Sequence, residues 1–127
     1  MAETRWEEDS LGRREVPRNA YWGIQSLRAK ENFPVSGLSS STHLIRAYAQ
    51  LKLAAVRANV ALGGLDERRG SALATAGEEM AQGRFDGEFV VDVFQAGAGT
   101  SFHMNVNEVL TNRALEILGR PRGDYRE

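Results

Sequence analysis

The stretch Gln95–Glu108, QAGAGTSFHMNVNE, gathers the residues of this chain best suited to chemistry on an anion. Gly97 and Gly99 remove side chains where a ligand or a second backbone must come close, and both tolerate positive φ. Thr100 and Ser101 follow at once with two hydroxyl donors. The pattern predicts a helix starting here, so its first N–H groups, which lack partners inside the helix, point outward. With the positive end of the helix dipole behind them, they suit a carboxylate or a developing oxyanion. The plainer alternative is that Ser101 caps the helix and the glycines only shape a tight turn before it. Two other glycine loops do not fit. A Walker loop carries Lys after its last glycine, where this chain has Thr100, and a dinucleotide fingerprint needs a third glycine where Phe102 stands.

Beyond the loop, Ser101, Asn105, Glu108 and Asn112 recur at spacings of four, three and four, which puts one polar stripe on the helix. Asn is a poor helix former, yet positions 105, 107 and 112 are all Asn. A solvated face is more usually Lys and Glu. The stripe therefore reads as a hydrogen-bonding surface, either packed against the protein or lining a ligand site. The absence of Cys excludes disulfides, thiolate metal sites and cysteine nucleophiles. His43, beside Thr42 at a helix start, reads as a surface or capping residue.

The elements that must hold this loop are legible to different degrees. At 127 residues, 42% hydrophobic and 26% charged, the chain has the make-up of one ordinary globular domain. A net charge of −1 argues against a nucleic-acid binder. Of the 16 cationic residues, 14 are Arg, a skew that a compositional bias explains as well as any role in binding carboxylates. The N-terminus is polar and acidic, without the apolar segment of a secretory signal, and the longest apolar stretch, near Leu53–Leu62, is broken by Arg57 and Asn59. These features predict a cytoplasmic protein with no membrane partner.

Residues 1–41 read as irregular, with short extended pieces around a Gly12 turn and a helical turn or two within 19–33, stopped by Pro34. From Thr42, a candidate N-cap, Leu44, Tyr48, Leu51, Ala55, Ala58 and Leu62 form one apolar stripe, and Ile45, Ala49, Leu53, Val56 and Val60 form a second. That face is wider than a surface helix needs, so covering on more than one side is expected. Gly63 and Gly64 end the helix. A further helix fits from about Asp66 to Gln82, weakened by Gly70 and Gly77, and another from near Ser101 to Leu118. The chain then stops at GRPRGDYRE with no further element, which predicts that more polypeptide or another subunit covers the apolar faces.

QAGAGTS, MNVNEV and NRALE in order resemble the first signature of the aspartase/fumarase superfamily, and EEDSLGRREVPRNAYWGIQSLRAKENFPVSG resembles the start of the same family. The resemblance runs from about Trp6 to Tyr125. Within it, AGAGTS and SLRAKENF look more like the aspartate ammonia-lyases, since class II fumarases tend to carry a serine at the place of Ala98. The resemblance implies a mainly α fold: the N-terminal domain of that superfamily over residues 1–127, with a short extended or β piece followed by about three helices. It implies a reversible elimination of ammonia from L-aspartate to give fumarate, in a homotetramer, with no metal or organic cofactor.

By the same resemblance, Thr100 contacts a substrate carboxylate, with Gly99 and Ser101 in the same turn. Arg28 of SLRA matches a family arginine, which leaves it two readings, a carboxylate contact or a structural salt bridge. The family's serine base lies far downstream, so no catalytic residue is expected in residues 1–127, and neither His43 nor His103 takes that role. His103 departs from the pattern, because many relatives carry Asn there. A class II fumarase, another lyase of the superfamily, or a stand-alone helical interaction module without chemistry are the alternatives.

Overall fold

In the computed structural model, which describes residues 3–126, the charged N-terminal run pairs with itself. Strand β1 (Thr4–Asp9) lies antiparallel to β2 (Gly12–Pro17), with Asp9 opposite Gly12 and Arg5 opposite Val16. The two-residue turn is closed by Asp9 Oδ1, which accepts from Leu11 N at 2.9 Å, and Gly12 takes a φ of 109° that a side chain would resist. Val16 is fully buried beneath this largely charged ribbon. The extended pieces around Gly12 are therefore a hairpin.

Four helices follow: α1 (Ile24–Asn32), α2 (Thr42–Ala61), α3 (Glu67–Ala81) and α4 (Thr100–Ile117). Helix α1 is a full nine residues where the sequence promised only a turn or two. Caps differ in detail from expectation: Ser41, not Thr42, caps α2 by accepting from Leu44 N at 3.3 Å, while Asp66 caps α3 through Arg69 N at 2.9 Å. The fold is thus mainly helical with one two-stranded sheet at its N-terminus, as the sequence indicated.

The core lies between α2, α3, α4 and the 85–94 connection, and includes Ile45, Ala49, Met80, Phe89, Phe102 and Val109. Phe102 meets Tyr48 edge-on at 5.0 Å between centroids, so the first turn of α4 is anchored to α2 by an aromatic pair. The second apolar stripe of α2 faces α3 and this core, joined from the first stripe by Tyr48. The rest of the first stripe stays open, with Leu51 at 61% and Leu62 at 85% exposure, so the second covering expected from the sequence does not come from the described residues.

Helix α4 carries the polar stripe inward. Asn105, Glu108 and Asn112 are all buried, which settles the stripe as packed. Asn105 accepts from Val90 N at 2.9 Å and donates to Glu88 O at 3.0 Å, tying down the connection that leads to the glycine loop. Asn112 donates to Tyr21 O at 2.7 Å and accepts from Gly123 N at 2.7 Å. Glu108 receives Gly23 N, Gln25 N and Ser26 N at 2.9, 2.7 and 3.1 Å, and Ser26 Oγ at 2.5 Å. Glu7 of β1 takes Ile24 N at 2.8 Å. Two carboxylates from distant segments thus cap α1. Gly23 is required there because a Cβ would strike Tyr125 Oη and come within 2.7 Å of Glu7 Oε2 and 2.9 Å of Glu108 Oε1.

The glycines inside α3 also have a packing reason. A Cβ at Gly77 would sit 2.9 Å from Leu53 Cγ, so the residue lets α2 and α3 approach closely. Replacing a helical Gly by Ala normally gains about 1 kcal/mol of propensity. Overpacking a close contact costs about 1–3 kcal/mol, and here the obstructing atom is the branch carbon of Leu53, not the far end of a flexible side chain. Gly77→Ala is therefore expected to lower stability in a denaturant titration by about 1 kcal/mol net, against the propensity trend. An increase in stability would show that α2 and α3 can part without loss.

Candidate functional site

Asp92 is the first fixed point on the way into the glycine loop. Its carboxylate accepts from Phe94 N at 2.9 Å, from Ser36 N and Gly37 N at 2.8 Å each, and from Ser36 Oγ at 2.8 Å. The Phe94 N–H, with the donors of Ser36 and Gly37, holds the Asp92 carboxyl down to about 2 although burial pushes it the other way. One side chain therefore joins the loop before α2 to the loop before α4. Gln95 is the second fixed point: its Oε1 accepts from Phe102 N at 2.8 Å and its Nε2 donates to Asp92 O at 3.2 Å.

Between Gln95 and the helix the backbone turns sharply. Gly97–Gly99 form a short 3-10 turn, with Ala98 at φ 64°, ψ 11° and Gly99 at φ 69°, ψ 18°. Two successive left-handed residues are unusual, and the alanine among them is strained by about 1–3 kcal/mol. Gly99 is the N-cap of α4 and no side chain caps the helix from that position, so Ser101 is not the cap; it stands with Thr100 inside the first turn. A Cβ at Gly97 or Gly99 would meet nothing within 4 Å. For Gly99 the left-handed φ explains the residue, whereas at Gly97 no contact within the described residues requires a glycine.

The loop borders a cleft of about 250 Å³ whose walls include Ser40, Ser41, Tyr48, Gln95, Gly99 and Phe102. Ser41 is the N-cap of α2 and Gly99 that of α4, so the positive ends of two helices meet at one cleft. Carboxylate oxygens placed there would meet serine side chains and two favourable helix dipoles, with no carboxylate in the cleft wall to oppose them. Thr100 is exposed beside the cleft and Ser101 is half-buried.

Of the residues singled out in the sequence, Gly99, Thr100 and Ser101 stand together. Arg28 does not join them. It lies on α1 and grips Asp9 with both arms of its guanidinium, Nε to Oδ2 at 2.8 Å and Nη2 to Oδ1 at 2.9 Å, and also reaches Gly12 O at 3.1 Å. The two Asp9 contacts match its structural reading, a salt bridge. His103 points to α2, where Lys52 Nζ lies 2.6 Å from its Nε2. Asp92, Gln95, Ser41 and Lys52 were not legible as a group; the one available sign was Asp92 itself, an acid inside the apolar run VVDVF.

A family description, Lyase, matches residues 12–125. The class II fumarate hydratase of Halobacterium salinarum is 50% identical over 120 residues, covering 94% of this chain and 26% of that protein. The aspartate ammonia-lyase of Bacillus subtilis is 46% identical over 123 residues, covering 97% and 26%. Among solved structures, a fumarate lyase:delta crystallin from Brucella melitensis superposes with a TM-score of 0.94 at 53% identity, over 98% of this chain and 27% of that one. The class II fumarase of Schistosoma mansoni gives 0.90 at 35% identity, over 95% and 26%. The chain spans about a quarter of the length of the relatives it matches.

The Asp92 hub has a readable consequence. Because its folded-state pKa lies below the usual carboxylate value, the stability it contributes is present in full above about pH 4 and lost as pH falls through about 2. Asp92→Asn is expected to lower stability at neutral pH and to flatten the acid slope between those limits, measured by denaturant titration at stepped pH. An unchanged slope would remove Asp92 from the role of hub.

Proposed function

Because this chain belongs to the aspartase/fumarase superfamily of lyases, we propose that it is the N-terminal domain of an enzyme that eliminates a small group from a four-carbon dicarboxylate. The first reading is an aspartate ammonia-lyase giving fumarate. Relatives bear that name and the name of class II fumarase at similar identity, and what favours the former is Ala98 between the two glycines. The observation that carries the proposal is the cleft whose wall contains both Gly99 and Ser41, the N-cap residues of α4 and α2.

Removing the Cβ proton of such a substrate drives a second negative charge onto the adjacent carboxylate. Donors already in place where that charge develops lower the barrier, because no reorganisation is needed at the moment of reaction. Gly99, Thr100 and Ser101 supply those donors. Arg28 is assigned to fastening the hairpin to α1 through Asp9. The proton-abstracting serine belongs to the part of the enzyme that the superfamily resemblance places beyond residue 127, so this segment binds and polarises without performing the elimination alone. In the whole enzyme the open stripe of α2 is covered by the remaining polypeptide in a cytoplasmic homotetramer.

The test uses the full-length enzyme, following fumarate from L-aspartate and from L-malate by ultraviolet absorbance. Fumarate from aspartate supports the ammonia-lyase reading, fumarate from malate replaces it by the hydratase, and fumarate from neither overturns the dicarboxylate proposal. Thr100→Ala is expected to reduce kcat/KM at least ~10²-fold, the usual loss for one donor to a developing oxyanion. An unchanged value would return the loop to a simple turn before a helix.

A further inference from the structure

Neither Lys52 nor His103 lines the dicarboxylate cleft, although Tyr48 and Phe102 of its wall adjoin them. Lys52 Nζ on α2 lies 2.6 Å from His103 Nε2 in the first turn of α4. The Tyr48 ring, one turn earlier on α2, sits 6.3 Å from the imidazole between centroids and packs edge-on against Phe102, so the imidazole is placed by its surroundings. The chain has only one other lysine, Lys30, whose ammonium lies 5.9 Å over the Trp22 ring, a contact that only the cation gains from.

A lysine beside a base and without an acid is set up as a nucleophile. Among the described residues no carboxylate pairs with Lys52. Partial burial of the side chain pushes its pKa down, which favours the free amine. Within the described residues the Lys52 side chain is only half-buried, which leaves it open to a small electrophile.

We propose that Lys52 is an acylation site of this protein, its amine attacking acyl thioesters with His103 as the proton acceptor. In the reactive state the amine donates one N–H to His103 Nε2 and keeps its lone pair free. The lone pair attacks the thioester carbonyl carbon, and the N–C bond forms as that proton passes to Nε2. The tetrahedral intermediate collapses with cleavage of the C–S bond, and the sulfur leaves as thiolate. The imidazolium then returns its proton to the thiolate through solvent, so an amine and a thioester become an amide and a thiol. No oxidant or metal enters the balance. Acylation removes the ammonium charge of Lys52 beside the helix that carries the glycine loop.

The experiment incubates the intact natural protein with the acetyl thioester of N-acetylcysteamine at mildly alkaline pH. Initial acetylation rates at Lys52 and Lys30 are read by mass spectrometry after Glu-C digestion. General-base assistance predicts Lys52 to react at least ~10-fold faster than Lys30. In His103→Asn the Lys52 rate is expected to fall ~10-fold while the Lys30 rate, the internal control for folding, is unchanged. Equal rates at the two lysines of the unaltered protein would overturn the proposal without recourse to a variant. An unchanged Lys52 rate in His103→Asn would overturn it as well.

Discussion

One buried carboxylate organises most of this domain. Glu108 sits in the middle of α4 and faces the start of α1, a helix with no capping side chain of its own. Burying a charge costs several kcal/mol unless hydrogen bonds replace its water. Here four donors do so, and all belong to the first residues of α1, where the helix dipole also favours an anion. Burial still pushes the Glu108 carboxyl up, against the pull of those donors. The consequence is mutual dependence: without α1 the carboxylate is stranded, and without the carboxylate the Gly23, Gln25 and Ser26 N–H groups lose their partner. Asn105 and Asn112, three residues before and four after, extend the same bargain to the 88–90 connection and to the C-terminal turn.

That spine determines how firmly the glycine loop can be held. Fixed through its middle by Glu108 and near its start by Asn105, α4 has little freedom to shift at its first turn. From the other side, Asp92 and Gln95 pin the segment that precedes the loop. Only the few residues between these anchors remain to absorb the change of direction, and they do so with two successive left-handed conformations. Strain at Ala98 persists because both flanks are over-determined. A loop built this way presents its N–H groups in one arrangement, which is what electrostatic stabilisation of a developing anion requires.

The parts of the fold that the sequence revealed are those whose signals are local. Helices α2 and α3 carry their own caps and glycine stops, so their limits could be read to within a residue or so. The glycines before α4 and the hydroxyls of its first turn fall within five consecutive residues, Gly97–Ser101, and the loop was legible for that reason. Helix α1 was not, because its capping groups come from β1 and α4, 17 and 85 residues away from the N–H groups they accept. The polar stripe of α4 was visible as a pattern, yet periodicity could not say whether protein or ligand faced it. The close approach of α2 and α3 likewise turned Gly77 from an apparent weakness into a packing requirement.

Two exposed features become one when dielectric is considered. Thr100 and the turn before it are open to solvent, and in water a charge interaction at 4 Å is worth only about 1 kcal/mol. The same donors act several times more strongly once water is excluded, so a loop of this design needs a cover to stabilise a transition state. The open stripe of α2, with Leu44 lying in the wall of the loop's own cleft and Leu51 and Leu62 exposed beyond it, needs a cover for the separate reason of apolar exposure. A single packed neighbour over α2 would meet both needs. On the proposed reading, assembly of the whole lyase therefore does more than bring a base to the substrate, because it also lowers the dielectric in which this domain's donors act.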